Sequence, residues 1–253
     1  MKTKTFALLV LFISASLFSA CSQDEEIVPQ NNITLNTSSP VILNYEQTLQ
    51  ISASSPLSIN YSSKNEFHAK VSSSGLITAQ HVGETNINLN NGVKSKSLRV
   101  KVQPKYNIYP TPCIEWGKTK NEIIALYGTP DKITATTLTY YNYSTAAPIG
   151  IFLFDDNGRL QCSSIAVITS YLSVLTNFLL ERYVVTGTGY GDYIAFFVDE
   201  LTESQITTMI ALRLFNVDYL IVMYADVSNM SAKNTSDDNS LIEHYNKLLD
   251  AAL

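Results

Sequence analysis

Cysteine, histidine and tryptophan are scarce in this sequence, and each scarcity removes a class of chemistry. Only His68, His81 and His244 occur in 253 residues. None sits in a spacing that builds a triad or a metal site, so all three read as surface or edge histidines. The three cysteines, Cys21, Cys113 and Cys162, lack a second Cys or His at the roughly two-to-four-residue spacing of structural zinc sites. Gly-x-Ser-x-Gly and His-Glu-x-x-His are both absent. No catalytic residue, metal ligand or cofactor site is therefore assigned, and an enzyme is not expected. The 17 basic residues against 22 acidic ones form no cluster, which argues against nucleic acid as a partner. Charged residues are 15% and hydrophobic ones 45%, enough apolar surface for folded cores.

Two polar stretches look like binding loops but lack the residues to act as such. Gly187-Thr188-Gly189-Tyr190-Gly191 has no following Lys-Ser/Thr and precedes a strand rather than a helix, so it reads as a flexible hairpin connection. Asp155-Asp156-Asn157-Gly158 lacks the later Glu and the alternating oxygens of a calcium loop, and reads as a turn.

The first residues carry an address. Lys2 and Lys4 precede an apolar run from Phe6 to Phe18 that ends in Ser19-Ala20-Cys21. The run is too short and wrongly flanked for a lasting membrane span, and reads as a signal peptide over 1–20. Cys21 resembles the acylated cysteine of bacterial lipoproteins, with Phe18 where that family has Leu. The resemblance implies palmitate-type acyl chains on Cys21 and an outer-membrane lipoprotein, lipid-anchored and displayed at the cell surface or facing the periplasm. Residues 21–32 form a tether whose Ser22-Gln23-Asp24-Glu25-Glu26 resembles the export signals of Bacteroidetes surface lipoproteins; a solvated linker is the alternative. Loss of Lys2 and Lys4 leaves 15 basic residues against 22 acidic, a charge of −7. The remaining pair, Cys113 and Cys162, invites a disulfide outside the cytoplasm, with two separate buried thiols as the alternative.

Residues 33–103 read as short alternating strands between Ser, Asn and Gly clusters, as in Thr48–Ala53 and Thr85–Leu89. The run Val71-Ser72-Ser73-Ser74-Gly75-Leu76-Ile77-Thr78-Ala79, then Gly83-Glu84-Thr85-Asn86-Ile87 and the Lys-Ser-rich stretch from Lys94 to Val102, resembles the bacterial Ig-like group 2 domain. The resemblance implies an all-β Ig-like sandwich, with Tyr61 where that family often has Trp.

Three prolines between Pro104 and Pro112 disfavour helix and mark 104–112 as a semi-rigid linker. Residues 113–253 change grammar. Thr119-Lys120-Asn121-Glu122 predicts a capping box, with Ile123, Ile124 and Tyr127 as the helix stripe and Gly128 and Pro130 as its stop. Strands follow at Leu138–Tyr143, Ile149–Phe154 and Leu160–Val167. A second helix over Ser170–Arg182, with Leu172, Leu175 and Leu179 on one face, precedes strands near Tyr193–Val198, Thr207–Phe215 and Tyr219–Tyr224. The economical reading is an α+β domain made of a duplicated helix plus antiparallel meander, closed by an amphipathic C-terminal helix from Ser240. Gly117-Lys118-Thr119, Leu126–Pro130, Tyr140-Tyr141 and Phe154–Leu160 loosely resemble outer-membrane-assembly and β-lactamase-inhibitor-like lipoproteins.

Tyrosine is in excess, with 15 residues. Tyr140, Tyr141, Tyr143 and Tyr190 are the candidate ligand-binding residues, because exposed aromatics stack on sugars or anchor proteins. Strand alternation predicts Tyr141 and Tyr143 on one face and Tyr140 on the other. The expected function is non-enzymatic surface binding or adhesion of a protein or glycan, with the Ig-like domain as spacer. An envelope-assembly or inhibitor lipoprotein is the alternative, and a glycan-processing accessory protein the third.

Overall fold

Alternation of inward and outward residues organises the N-terminal strands. The computed structural model describes residues 31–190, 192–228 and 246. The expected signal peptide, Cys21, the tether up to Gln30, His244 and, apart from Asn246, the C-terminal helix lie outside the described residues.

Strands β1 (Thr34–Leu35), β2 (Val41–Asn44), β3 (Thr48–Gln50), β4 (Ala53–Ser54), β5 (Asn60–Ser63), β6 (Ala69–Val71), β7 (Leu76–Ala79), β8 (Gly83–Asn90) and β9 (Ser95–Gln103) form sheets ordered β2-β9-β8-β5, β3-β7-β6 and β1-β4. The expected single strand over 48–53 is split into β3 and β4. Along β8 and β9 every second residue is inward, and Ile87, Leu89, Leu98 and Val100 meet Ile77 and Ala79 with no exposed surface. This is the half-buried pattern of a sandwich face.

Two glycines of the sandwich have identifiable steric duties. Gly75 has φ +82°, and a Cβ there would lie 3.0 Å from the Tyr61 ring. Gly83 has φ +142°, and a Cβ there would lie 2.2 Å from the His68 imidazole. Both combine a left-handed φ with close approach by a ring, conditions that only glycine meets without strain.

After the connector come α1 (Lys120–Tyr127), β10 (Lys132–Ile133), β11 (Thr137–Tyr141), β12 (Ile149–Phe154) and β13 (Leu160–Ile168). A short 3₁₀ turn then leads into α2 (Leu172–Leu180), β14 (Val184–Tyr190), β15 (Tyr193–Val198), β16 (Thr208–Leu214) and β17 (Tyr219–Asp226). The strands make one antiparallel sheet ordered β10-β11-β12-β13-β17-β16-β15-β14. Its centre is the pairing of β13 with β17, from Cys162 opposite Ala225 to Ile168 opposite Tyr219. The capping box of α1 forms as the sequence predicts, with the Thr119 amide donating to Glu122 Oε2 at 2.8 Å. On α2, Leu175, Phe178 and Leu179 are buried, whereas Leu172, expected on the same stripe, is one-third exposed.

The glycine-rich stretch is a strand rather than a loose connection. Gly187 pairs with Phe196 and Thr188 with Ala195, after a register shift beyond Val185. Glycine without a side chain tolerates the irregular register of a bulged edge. The Asp155–Gly158 turn is confirmed: Asp155 Oδ1 accepts from the Asn157 and Arg159 amides at 3.0 and 2.7 Å, so that oxygen is spent on the turn.

The sheet is buried on both faces. One face carries Ile165, Val167, Ile210, Leu212, Val222 and Tyr224 against α2 and the connector, and Leu138, Phe152 and Phe154 beside Ile123 of α1. The other carries Leu153, Met209, Ala211, Met223 and Ala225. On that second face Tyr193 donates to Asn246 Oδ1 at 2.9 Å.

A bulge separates the two cysteines. Leu153 pairs with Cys162 but Phe154 pairs with Leu160, leaving Gln161 as the extra residue. Cys113 packs with Leu160 on the helix-side face and Cys162 packs with Leu153 on the other. Both are free thiols, so the disulfide invited by the even pair is not formed. A sheet stands between them, and the short reach of a bridge cannot cross it.

Candidate functional site

The four nominated tyrosines do not converge. Tyr140 is buried beside Phe152 at 5.7 Å, and its hydroxyl donates to the Gly128 carbonyl at 3.1 Å. Tyr141 is half exposed, and its amide donates to Asp131 Oδ2 at 2.7 Å. Tyr143 does not share the face of Tyr141. The strand stops at Tyr141, Asn142 takes φ +58°, and alternation ends there. Tyr143 swings onto the Tyr140 side, with its ring against Gly150 and its hydroxyl donating to the Pro110 carbonyl at 3.0 Å. Burial pushes the pKa of both Tyr140 and Tyr143 upward. Tyr190 ends β14 opposite Tyr193, and its side chain lies outside the described set. Tyr141 alone among the three described rings faces solvent substantially.

The residues that do converge join the sandwich to the sheet, and the sequence reading passed over them. Glu181, which follows α2, has no exposed surface. Its Oε2 accepts from the Lys105 amide at 2.8 Å and its Oε1 from the Tyr106 amide at 3.0 Å, while the carboxylate pairs with Arg182. Arg182 lies 3.8 Å over the Phe178 ring and donates to the Phe178 and Tyr106 carbonyls at 3.0 and 3.2 Å. The connector is thus fastened where it leaves the sandwich. Farther on it enters the core through Ile108 and Tyr109, whose hydroxyl meets that of Tyr224 at 2.9 Å.

The sandwich completes the carboxyl end of α2. The Val82 amide donates to the Glu181 carbonyl at 2.8 Å, and the His81 imidazole hydrogen-bonds the Leu180 carbonyl. Helix-end carbonyls have no partner within the helix, and here another part of the fold supplies the donors. Burial holds the His81 pKa down to about 4, with smaller contributions from the like charges of His68 and Lys70, against the bond to Leu180. His81 is therefore a joint residue rather than an ordinary surface one; its Nδ1 atom, like that of His68 within the sandwich, is buried without a hydrogen-bond partner. Beside the joint an open cleft of about 400 Å³ is lined by Asn65, Glu66, Glu200 and Gln205 among others.

The topology sets the opposite end of the sheet apart from this joint. There lie the β11–β12, β14–β15 and β16–β17 turns and the start of α2, which is tied to the last of these turns by the Thr169 amide donating to the Asp218 carbonyl at 2.9 Å. Neither of the two described thiols is activated: burial raises Cys113 and pushes Cys162 up to about 12. Among the described residues no group of three or more His, Cys, Asp or Glu could hold a metal, and no helix is long and apolar enough to cross a membrane.

No family model matches the chain, and no curated protein matches it significantly. Among solved structures it is similar to an intimin mutant of EHEC O157:H7, at 16% identity and TM-score 0.24 over 48% of this chain and 82% of that one. It is also similar to domains 4–9 of the surface layer protein SbsC, at 13% identity and TM-score 0.26, over 79% of this chain and 27% of that one. Domains 5–6 of the S-layer protein SbsC give 14% identity and TM-score 0.24 over 79% and 88%. Likenesses this distant carry no argument about function.

The Glu181-Arg182 pair left a faint signal in the sequence. A charged dipeptide closing an apolar helix ordinarily reads as a solvated end, and its burial follows only from the connector folding back over it.

Proposed function

We propose that this chain is a non-enzymatic lipoprotein of the cell envelope, anchored through Cys21 and displayed at the outer-membrane surface, that binds a protein or glycan. The sandwich over 33–103 is the spacer. Residues 113–253 are a duplicated α+β domain that meets the ligand. The observation that carries this reading is the saturated joint: both Glu181 oxygens hold connector amides, and sandwich donors cap α2. A sandwich fastened in this way works as a fixed stalk, and the sheet end opposite the joint is left to meet a partner.

The test begins with Cys21→Ser, which should release the protein from membranes because the acyl chains hold it there. A lipid-labelled band surviving the change would remove the anchor. The released full chain is then offered to host proteins, glycan arrays and envelope extracts. Adhesion requires saturable binding to the first or second.

A second reading, an envelope-assembly or inhibitor lipoprotein, is favoured by the strand order, in which two helix-plus-meander halves meet at β13 and β17. A stable complex with a membrane protein or hydrolase would select it. Turnover of polysaccharide would instead promote the third reading, a glycan-processing accessory protein.

A further inference from the structure

The β16–β17 turn holds apolar side chains out into solvent. Val217 is 86% exposed, Leu214 and Phe215 nearly half, and Leu172 and Val174 of α2 more than a third. A lone exposed aliphatic is ordinary, but several grouped on one turn and its neighbouring helix start mark an interaction surface.

The turn is pinned by its own hydrogen bonds. Asn216 Oδ1 accepts from the Asp218 and Tyr219 amides at 2.9 and 2.8 Å, and the Phe215 amide donates to the Tyr219 carbonyl at 3.1 Å. The bond from Thr169 to Asp218 fastens it to the start of α2. Two shallow hollows flank that start: one of about 350 Å³ touching Val217, and one of about 370 Å³ touching Tyr171 and Val174. A surface held in shape before binding loses less entropy when it binds.

Charge indicates what the surface fits. Arg213, the cation leading into the turn, is committed to Asp192 at 3.0 Å. Asp218 has no basic partner within salt-bridge distance among the described residues. Phe215 is a single exposed ring among the aliphatic Leu214, Val217, Leu172 and Val174, which suits an apolar protein recess better than stacked sugar faces, and a carboxylate without a basic partner repels anionic lipid. We propose that this tip docks a protein whose apolar recess receives Phe215 and Val217 and whose Lys or Arg at the rim pairs with Asp218. The proposal rests on the binding function above and assigns it a surface and a partner chemistry.

The test uses the full-length, membrane-anchored chain with a photo-crosslinking residue at position 217 or, as a comparably exposed apolar control on the sandwich, at position 93. The expected result is a protein adduct from 217 and none from 93, mapped on the partner beside a Lys or Arg. Phe215→Ser or Asp218→Lys should lower its yield by about tenfold or more, the loss expected of a hot-spot residue. Both positions are exposed, and an unchanged thermal midpoint verifies that each variant folds. Equal adducts from 93 and 217, an adduct joining two copies of this chain, or a yield insensitive to both substitutions overturns the proposal. If Phe215→Ser leaves binding of a protein ligand by the whole chain intact, only this surface is wrong. If the wild-type chain binds neither protein nor glycan, the functional reading falls with it.

Discussion

The sandwich and the eight-stranded sheet solve the same problem, covering β-strands, in different ways. The sandwich buries one side of each long strand, as in β8 and β9, and fills the gap mainly with Ile, Leu, Val and Ala. The sheet is covered on both faces, so β17 is buried from Leu220 to Ala225 without a break. Its helix-side core includes Tyr109, Tyr183 and Tyr224, whose hydroxyls must be satisfied inside the protein. One region ties its few buried polar residues, Thr85 and Asn91, to loop and turn groups, and the other sets buried polar pairs within its core. The joint is the extreme of the second strategy, because it buries an ion pair whose other partners are backbone amides and carbonyls.

The largest expected effect lies at that joint. Glu181→Ala leaves Arg182 without its carboxylate and two connector amides without an acceptor. Removing one partner of a buried pair costs about 3–5 kcal/mol. Chemical denaturation should show a loss of that order, and hydrogen exchange should accelerate at the Lys105 and Tyr106 amides. Unchanged exchange there would mean that the connector is held by its apolar contacts alone.

Within the sandwich, where packing geometry dominates, Gly83→Ala should cost about 1–3 kcal/mol through its left-handed φ, with the approach of His68 adding to the strain. A thermal midpoint equal to wild type would show that the β7–β8 corner can re-form around a side chain.

In the sheet, Tyr224→Phe removes the partner of the Tyr109 hydroxyl in a fully buried setting. A buried polar group left unpaired costs about 1–3 kcal/mol, whereas replacing both partners is milder than the sum. The double variant Tyr109→Phe/Tyr224→Phe should therefore be less destabilised than the two single losses added together. Simple additivity would reduce the pair to two independent hydroxyls.

Acid should distinguish the joint from both of its neighbours. His81 has a folded-state pKa of about 4, below its ordinary 6.5. The folded state therefore binds fewer protons than the unfolded one between those values, and stability falls as pH drops from about 6.5 to about 4. Above that window the contribution is complete, and below it no further loss comes from this group. His68 and Lys70 press in the same direction on the charged form. His81→Gln should flatten the slope of stability against pH in that window; an unchanged slope would assign it to other groups.

The same contrast explains what the sequence disclosed. The sandwich was legible because one-sided burial writes a period of two into Thr85, Ile87 and Leu89, and because Gly75 and Gly83 mark turns that need glycine. The helices were legible from Thr119 with Glu122 and from the Leu175–Leu179 spacing, and most sheet strands from their apolar runs. Strand β14 was missed because two glycines and two threonines on a bulged edge carry no apolar alternation. The face of Tyr143 was misread because one left-handed residue, Asn142, ends the periodicity on which the inference rested. The joint was invisible, since nothing local says that Glu181 will meet the connector amides of Lys105 and Tyr106, 76 and 75 residues away.

The smallest expected effect is a null one, and it tests the two-faced sheet directly. Cys113 and Cys162 lie on opposite faces because the bulge at Gln161 puts Leu160 and Cys162 on different sides. Both are buried, and burial raises both thiol pKa values, so little thiolate is present at neutral pH to react or exchange. Reductant should therefore leave the thermal midpoint unchanged, and alkylation of the native chain bearing Cys21→Ser should label neither thiol until it unfolds. A midpoint that falls with reductant would mean that the cysteines are joined, which the sheet could permit only if β13 shifted its register past the bulge. Every pairing from Cys162–Ala225 to Ile168–Tyr219 at the centre of the sheet would then have to shift as well. The redox test thus reads the register of the central strand pair through two side chains that never meet.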